Sequence, residues 1–223
     1  MFRMRVKFFW QFLIIFSISQ LCGSDTFDID KFAIDAALEG HVSRLCFALN
    51  YRPDLVNTSR FDIFNSTLLY CAAHNGHDKA VLLLLDRGAQ SDVGNDIGQT
   101  PLHVAAERGY VKIVRALLCN MNEKGILSAL NIKDINGMTS LHRAAQNNWS
   151  RTIELLKNYG PDPTIEDNEG KRPSQMTGGK IRQWLLDYER AYEFGFRKGI
   201  KRAMLEREGY NDGRSRKRVR REG

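Results

Sequence analysis

The chain has 223 residues, 43% of them hydrophobic and 26% charged, which are the proportions of a protein with a real core and exclude a chain disordered throughout. Its formal charge of +7 is uneven: residues 1–23 hold three basic and no acidic groups, 24–179 balance at −3, 180–208 at +3 and 209–223 at +4. The basic excess therefore sits at the two ends and is no sign that the central body binds a polyanion.

Residues 1–23 have the three-part order of a secretory signal peptide. Arg3, Arg5 and Lys7 make a positive start, residues 8–18 an apolar run, and Cys22, Gly23 and Ser24 a small-residue cleavage point. The run is shorter than the roughly 20 residues of a membrane-spanning helix, so no stable membrane anchor is expected. Cleavage leaves Cys46, Cys71 and Cys119, whose wide spacing makes neither a disulfide framework nor a zinc site. Each sits in a helical apolar pattern as a small buried hydrophobe.

From residue 30 onward the chain repeats itself. Equivalent positions fall at Asn65, Gly98, Gly137 and Gly170, with spacings of 33, 39 and 33, and the extra residues of the middle interval lie in 119–131. In the clearest copy, GQTPLHVAAERGYVKIVRALL from residue 98, Thr100 can cap a helix and Pro101 takes its first position. Ala105 and Ala106 allow close helix approach, and Gly109 supplies a left-handed turn. Val111, Ile113, Val114, Leu117 and Leu118 then form one face of a second helix. A single helix pair cannot bury that face, so copies must stack.

This pattern resembles the ankyrin repeat. By that resemblance the chain is an all-α ankyrin-repeat solenoid, a stack of helix-turn-helix units with β-hairpin-like loops plus a C-terminal helix. Residues 30–58 make a degenerate N-terminal capping repeat and 59–94 an ankyrin repeat with Tyr70 in place of the motif histidine. Residues 95–133 form a repeat with an insertion, and 134–166 a repeat with Asn148 in place of the turn glycine. A truncated closing repeat at 167–180 follows. In residues 181–208, Ile181, Trp184, Leu185, Tyr188, Tyr192, Phe196, Ile200 and Met204 recur at helical steps, weakened at Gly195 and Gly199. That stripe can cap the last repeat, bind a partner, or lie on a membrane surface.

No catalytic constellation is expected. His103 and His142 are motif histidines, His41 and His77 begin second helices, and His74 alone escapes the pattern. TGGKIR (177–182) lacks the phosphate-loop spacing, and no G-x-S-x-G, H-E-x-x-H or paired-cysteine motif occurs. No enzyme activity, cofactor, metal or small-molecule substrate is expected, and the chain is expected to be a monomer.

The resemblance implies partner binding through the hairpin tips and the exposed side of the first helices. The tips offer Ile63, Phe64 and Ser66; Asp96, Ile97 and Gln99; Ile135, Asn136 and Met138; and Asn168, Glu169 and Lys171. The first helices add His74, Asn75, Glu107, Arg108, Gln146 and Asn147. Ile63, Phe64, Ile97, Ile135 and Met138 can line up as an apolar ridge, or fold back on neighbouring hairpins.

Residues 209–223 form a basic tail in which Arg214, Arg216, Lys217, Arg218, Arg220 and Arg221 can serve nuclear import, polyanion binding or nothing. R-V-R-R (218–221) also fits a dibasic cleavage pattern. An export leader and a nuclear tail are reconciled in a secreted effector that enters a second cell's nucleus. The alternative is an intracellular regulator similar to the inhibitory ankyrin proteins of transcription factors. Sequons at Asn57, Asn65 and Asn148 offer glycan sites along a secretory route.

Overall fold

The computed structural model of the chain describes residues 28–59 and 65–196. The expected leader, the basic tail, Ile63, Phe64 and residues 197–208 lie outside the described residues. Helices follow one another in antiparallel pairs. The first pair is α1 (Ile29–Glu39) with α2 (Val42–Tyr51), and the second α3 (Leu68–His74) with α4 (Asp78–Asp86). Next come α5 (Pro101–Glu107) with α6 (Val111–Cys119), an added α7 (Glu123–Leu130), then α8 (Ser140–Gln146) with α9 (Ser150–Asn158). A 3-10 turn at Pro173–Met176 leads into α10 (Gly179–Ala191). Among the described residues the one β-type pairing is an isolated bridge between Ser59 and Thr67, so the expected all-α solenoid is what forms.

The local signals act as their chemistry requires. Thr67, Thr100 and Thr139 precede their helices in extended conformation, and Pro101 occupies a helix position that needs no amide hydrogen. The turns from first to second helix need a left-handed residue, supplied by Gly40, Gly76 and Gly109. In the fourth unit Asn148 takes that place at φ 57°, one of the few side chains that tolerate it.

Stacking then supplies the core. Ala72, Ala73, Ala105, Ala106, Ala144 and Ala145 are buried between successive first helices, where a larger side chain would hold them apart. Leu84, Val114, Leu117, Ile153 and Leu156 seal the second helices against them. Each such leucine contributes about 1.5–3 kcal/mol relative to exposure. The insertion is itself a helix: the Asn122 side chain accepts the Gly125 amide at 2.8 Å, and Ala129 and Leu130 join the core.

Both ends are covered. The N-terminal unit is a full helix pair, its first helix capped by Asp28, which accepts from the amides of Asp30 and Lys31. At the other end α10 lies on the last repeat with Leu185 in the core, and the Tyr188 hydroxyl donates to the Pro161 carbonyl at 2.8 Å. The Lys157 ammonium sits 4.5 Å from the Trp184 ring centre. The helix ends at Ala191, and Tyr192–Phe196 form a wider turn containing Gly195 at φ 87°.

Candidate protein-binding surface

The hairpin tips are built by three side chains that mimic backbone. Asn95, Asp134 and Asp167 each accept, through Oδ1, the amides two and four residues ahead at 2.8–3.2 Å. Adjacent tips are then tied together, because the Ile135 amide donates to the Ile97 carbonyl and the Asn168 amide to the Asn136 carbonyl, both at 3.0 Å. Gly98 permits this approach: a Cβ there would lie 3.2 Å from the Asp134 Cα. The tips are therefore a rigid ladder, and preorganised surfaces lose less entropy on binding.

Beneath the ladder, histidines join one unit to the next. His103 Nδ1 accepts from the Thr100 amide and faces its hydroxyl, leaving Nε2–H to donate to the Ile132 and Met138 carbonyls at 3.0 and 3.2 Å. His142 repeats this with Thr139 and the Lys171 carbonyl. Burial pushes both imidazoles below their ordinary range, which keeps them neutral. Tyr70 takes over the role in its own unit, donating from its hydroxyl to Gln99 Oε1 at 3.1 Å. The Arg143 guanidinium pairs with the fully buried Asp134 carboxylate that shapes the third tip.

The expected site residues separate into exposed and committed groups. Ile135 is 63% exposed at its tip. Asp96 is exposed and accepts from the Asn65 amide, while Asn147 is exposed with its Nδ2 donating to the Arg143 carbonyl. On the first helices the Arg108 guanidinium lies 2.8 Å from His74 Nε2, and His74 stacks on Tyr70. Gln99 is buried and accepts from the Tyr70 hydroxyl, which commits its side chain to the preceding unit. Ile97 and Met138 are half-buried, so Ile135 is the most exposed of the described apolar tip residues. Ile63, Phe64 and the six basic tail residues lie outside the described residues.

The sequon asparagines are structural. Asn57 Nδ2 donates to the Gly88 carbonyl while its Oδ1 accepts the Gln90 amide; Asn65 Nδ2 donates to Asp96; Asn148 Oδ1 accepts from Thr177. The cysteines differ from expectation as well. Cys71 is buried, Cys46 is half-buried and accepts from Arg87 at 3.2 Å, and Cys119 is exposed; no disulfide joins any two of them. Among the described residues no group of three or more His, Cys, Asp or Glu could hold a metal ion, and no helix is long and apolar enough to cross a membrane.

Sequence reasoning missed the aromatic stitching. His77, Tyr110 and Trp149, each opening a second helix, lie over Gly40, Gly76 and Gly109 of the preceding unit. The signal was present as an aromatic residue directly after the left-handed turn residue, in Gly76-His77, Gly109-Tyr110 and Asn148-Trp149, but its partner lies a whole repeat away.

Two family models match the chain, one described as ankyrin repeats in three copies over residues 33–127 and one as ankyrin repeats in many copies over 102–157. The chain is 34% identical over 151 residues to the probable E3 ubiquitin-protein ligase XBOS33 of Oryza sativa, covering 66% of this chain and 27% of that protein. It is 32% identical over 125 residues to the human BCL-6 corepressor-like protein 1, covering 55% of this chain and 7% of that one. It is also 29% identical over 138 residues to the probable 26S proteasome regulatory subunit p28 of Saccharomyces cerevisiae, covering 61% and 57%. The chain thus spans about a quarter of the rice ligase's length. Repeat spacing, Thr-Pro capping, motif histidines and matching models agree: over residues 33–157 this chain belongs to the ankyrin-repeat family, whose fold suits a protein-interaction module.

Proposed function

We propose that the chain is a non-enzymatic adaptor that works inside the cell that makes it, gripping a partner protein with its hairpin tips and the exposed side of its first helices. The observation that carries this is Ile135, a large apolar side chain 63% exposed at the end of a rigid, hydrogen-bonded tip. Its exposure does nothing for the core, and an apolar anchor rimmed by polar groups is the anatomy of a binding hot spot. Asp96, Asn147 and the Arg108–His74 pair supply that rim.

Three features favour the intracellular reading over export. Cys46, Cys71 and Cys119 form no disulfide with one another, which suits a reducing compartment. The sequon side chains are spent on internal hydrogen bonds, so glycans at Asn57 or Asn65 would break contacts between units. The relatives are named for ubiquitin ligation, corepression and the proteasome, which are intracellular processes. The export reading keeps one specific observation, the basic-then-apolar order of residues 1–23.

Cross-linking from a photoreactive group placed at the neighbouring exposed Asn136 in living cells tests the grip, with Ile135→Asp introduced into the same probe-bearing chain. Loss of the cross-linked partner in the variant at unchanged helicity is expected; an unchanged partner set would remove the tip from the interface. Sequencing the mature N-terminus tests the address. A chain beginning near Ser24 and recovered from the medium would overturn the intracellular reading.

A further inference from the structure

Lys79, Lys112 and Arg151 hold the same place, the second residue, in α4, α6 and α9, and all three are exposed. These helices pack side by side, and packed helix axes lie about 8–10 Å apart. One edge of the solenoid therefore carries a cation about every 10 Å. The aromatic residues two places earlier, His77, Tyr110 and Trp149, are each seated on a glycine of the preceding unit, which holds the column in register.

Internal stability does not account for these charges. Among the described residues none of the three lies in an ion pair, whereas the ion pairs that form lie in the N-terminal unit, at Arg143–Asp134, at Lys171–Glu169, or around Arg172 and α10. A cation in the first turn also faces the positive end of the helix dipole, an unfavourable placement made three times over. The nearby carboxylates form an ion pair with none of the three. Asp78 turns back to accept the Lys79 amide, Glu107 is half-buried, and Glu154 lies one turn further along α9 without an ion pair. Arg115, exposed one turn beyond Lys112, adds to the excess.

We propose that this edge docks an extended acidic segment of a partner protein, with a carboxylate at every third residue. An extended left-handed helix of the polyproline type rises 3.1 Å per residue with three residues per turn, so residues i, i+3 and i+6 share one face at spacings of about 9 Å. That period matches the column. A nucleic-acid strand carries a charge about every 3.4 Å along its axis and gains nothing from this spacing. The edge lies one first-helix length from the hairpin tips, because each tip precedes its first helix and each cation follows it. The two surfaces can be occupied together.

Fluorescence anisotropy with the full chain tests the idea. The probes are a labelled peptide of five Glu-Pro-Pro units and an isomer of the same composition with its glutamates in one block. The periodic peptide is expected to bind about tenfold more tightly than the block isomer at physiological salt. The combined Lys79→Gln, Lys112→Gln and Arg151→Gln chain should bring that ratio to about one with helicity unchanged. The basic tail is present in both chains, so whatever it adds to the ratio is the same in the unaltered chain and the variant. If the triple variant loses helicity, Lys112→Gln alone carries the test. A ratio of one in the unaltered chain, a ratio that survives the substitutions, or displacement by an oligothymidylate at equal charge concentration would each overturn the proposal. Ile135→Asp should leave the ratio untouched, so failure of the tip reading is distinguishable from failure here.

Discussion

The indole of Trp149 covers Gly109 of the preceding unit and donates from Nε1 to the Glu107 carbonyl at 2.7 Å. His77 does the same two joints earlier, its ring over Gly40 and its Nε2 2.7 Å from the Leu38 carbonyl. In both cases an orphan carbonyl at a first-helix end is satisfied by the next repeat rather than by its own helix. The aromatic step is thus a joint between units.

Gly109→Ala should be more damaging than Gly170→Ala. Both glycines have φ 73°, but a Cβ at Gly109 would meet the Trp149 ring at 2.5 Å, whereas nothing lies within 4 Å at Gly170. Left-handed strain alone costs about 1–2 kcal/mol, and displacing the indole adds about 1 kcal/mol for its lost hydrogen bond. Thermal melting of the two variants should rank in that order, and equal melting points would refute the joint.

Stability should fall with acid before the carboxylates titrate. His103 and His142 have folded pKa values lowered by burial from 6.5, so the unfolded chain binds more protons between the two values. The contribution is complete above pH 6.5 and is lost as pH falls below it. Urea unfolding between pH 7.5 and 5.5 should show this slope, and His103→Gln should flatten it.

Removing Arg143 should expose the cost of a buried charge. Arg143→Met leaves the Asp134 carboxylate unpaired, a loss of about 3–5 kcal/mol. Adding Asp134→Asn should recover much of it, because an amide oxygen still accepts the Asn136 and Met138 amides that make the tip. Chemical denaturation of the single and double variants checks this, and no recovery in the double variant would place the damage elsewhere.

At the C-terminal end, Trp184→Ala should loosen α10 without unfolding the array. The loss of the Lys157–Trp184 contact is worth about 0.5–1 kcal/mol at a partly exposed site. Hydrogen exchange should rise in residues 179–191 while α5 and α8 stay protected.

Much of the solenoid was legible because its signals are local. Thr100 and Pro101 start a helix, Gly109 ends one, and Val111 to Leu118 pattern a face, all within a few residues whose chemistry needs no distant partner. The 33-residue spacing made stacking a necessity, since one pair cannot bury its own apolar side. Even Asn148 in the left-handed turn followed from its short polar side chain. What the sequence left undecided depended on a neighbour one repeat away. Gln99 reads as a surface tip residue until Tyr70 is brought beside it, and the pairing of Arg143 with Asp134 forms only when the third tip is folded. Trp149 became a joint only when Gly109 was brought under its ring. Periodicity along a chain specifies which face is buried, but burial at a seam depends on distances between units, and only the stacked structure sets those.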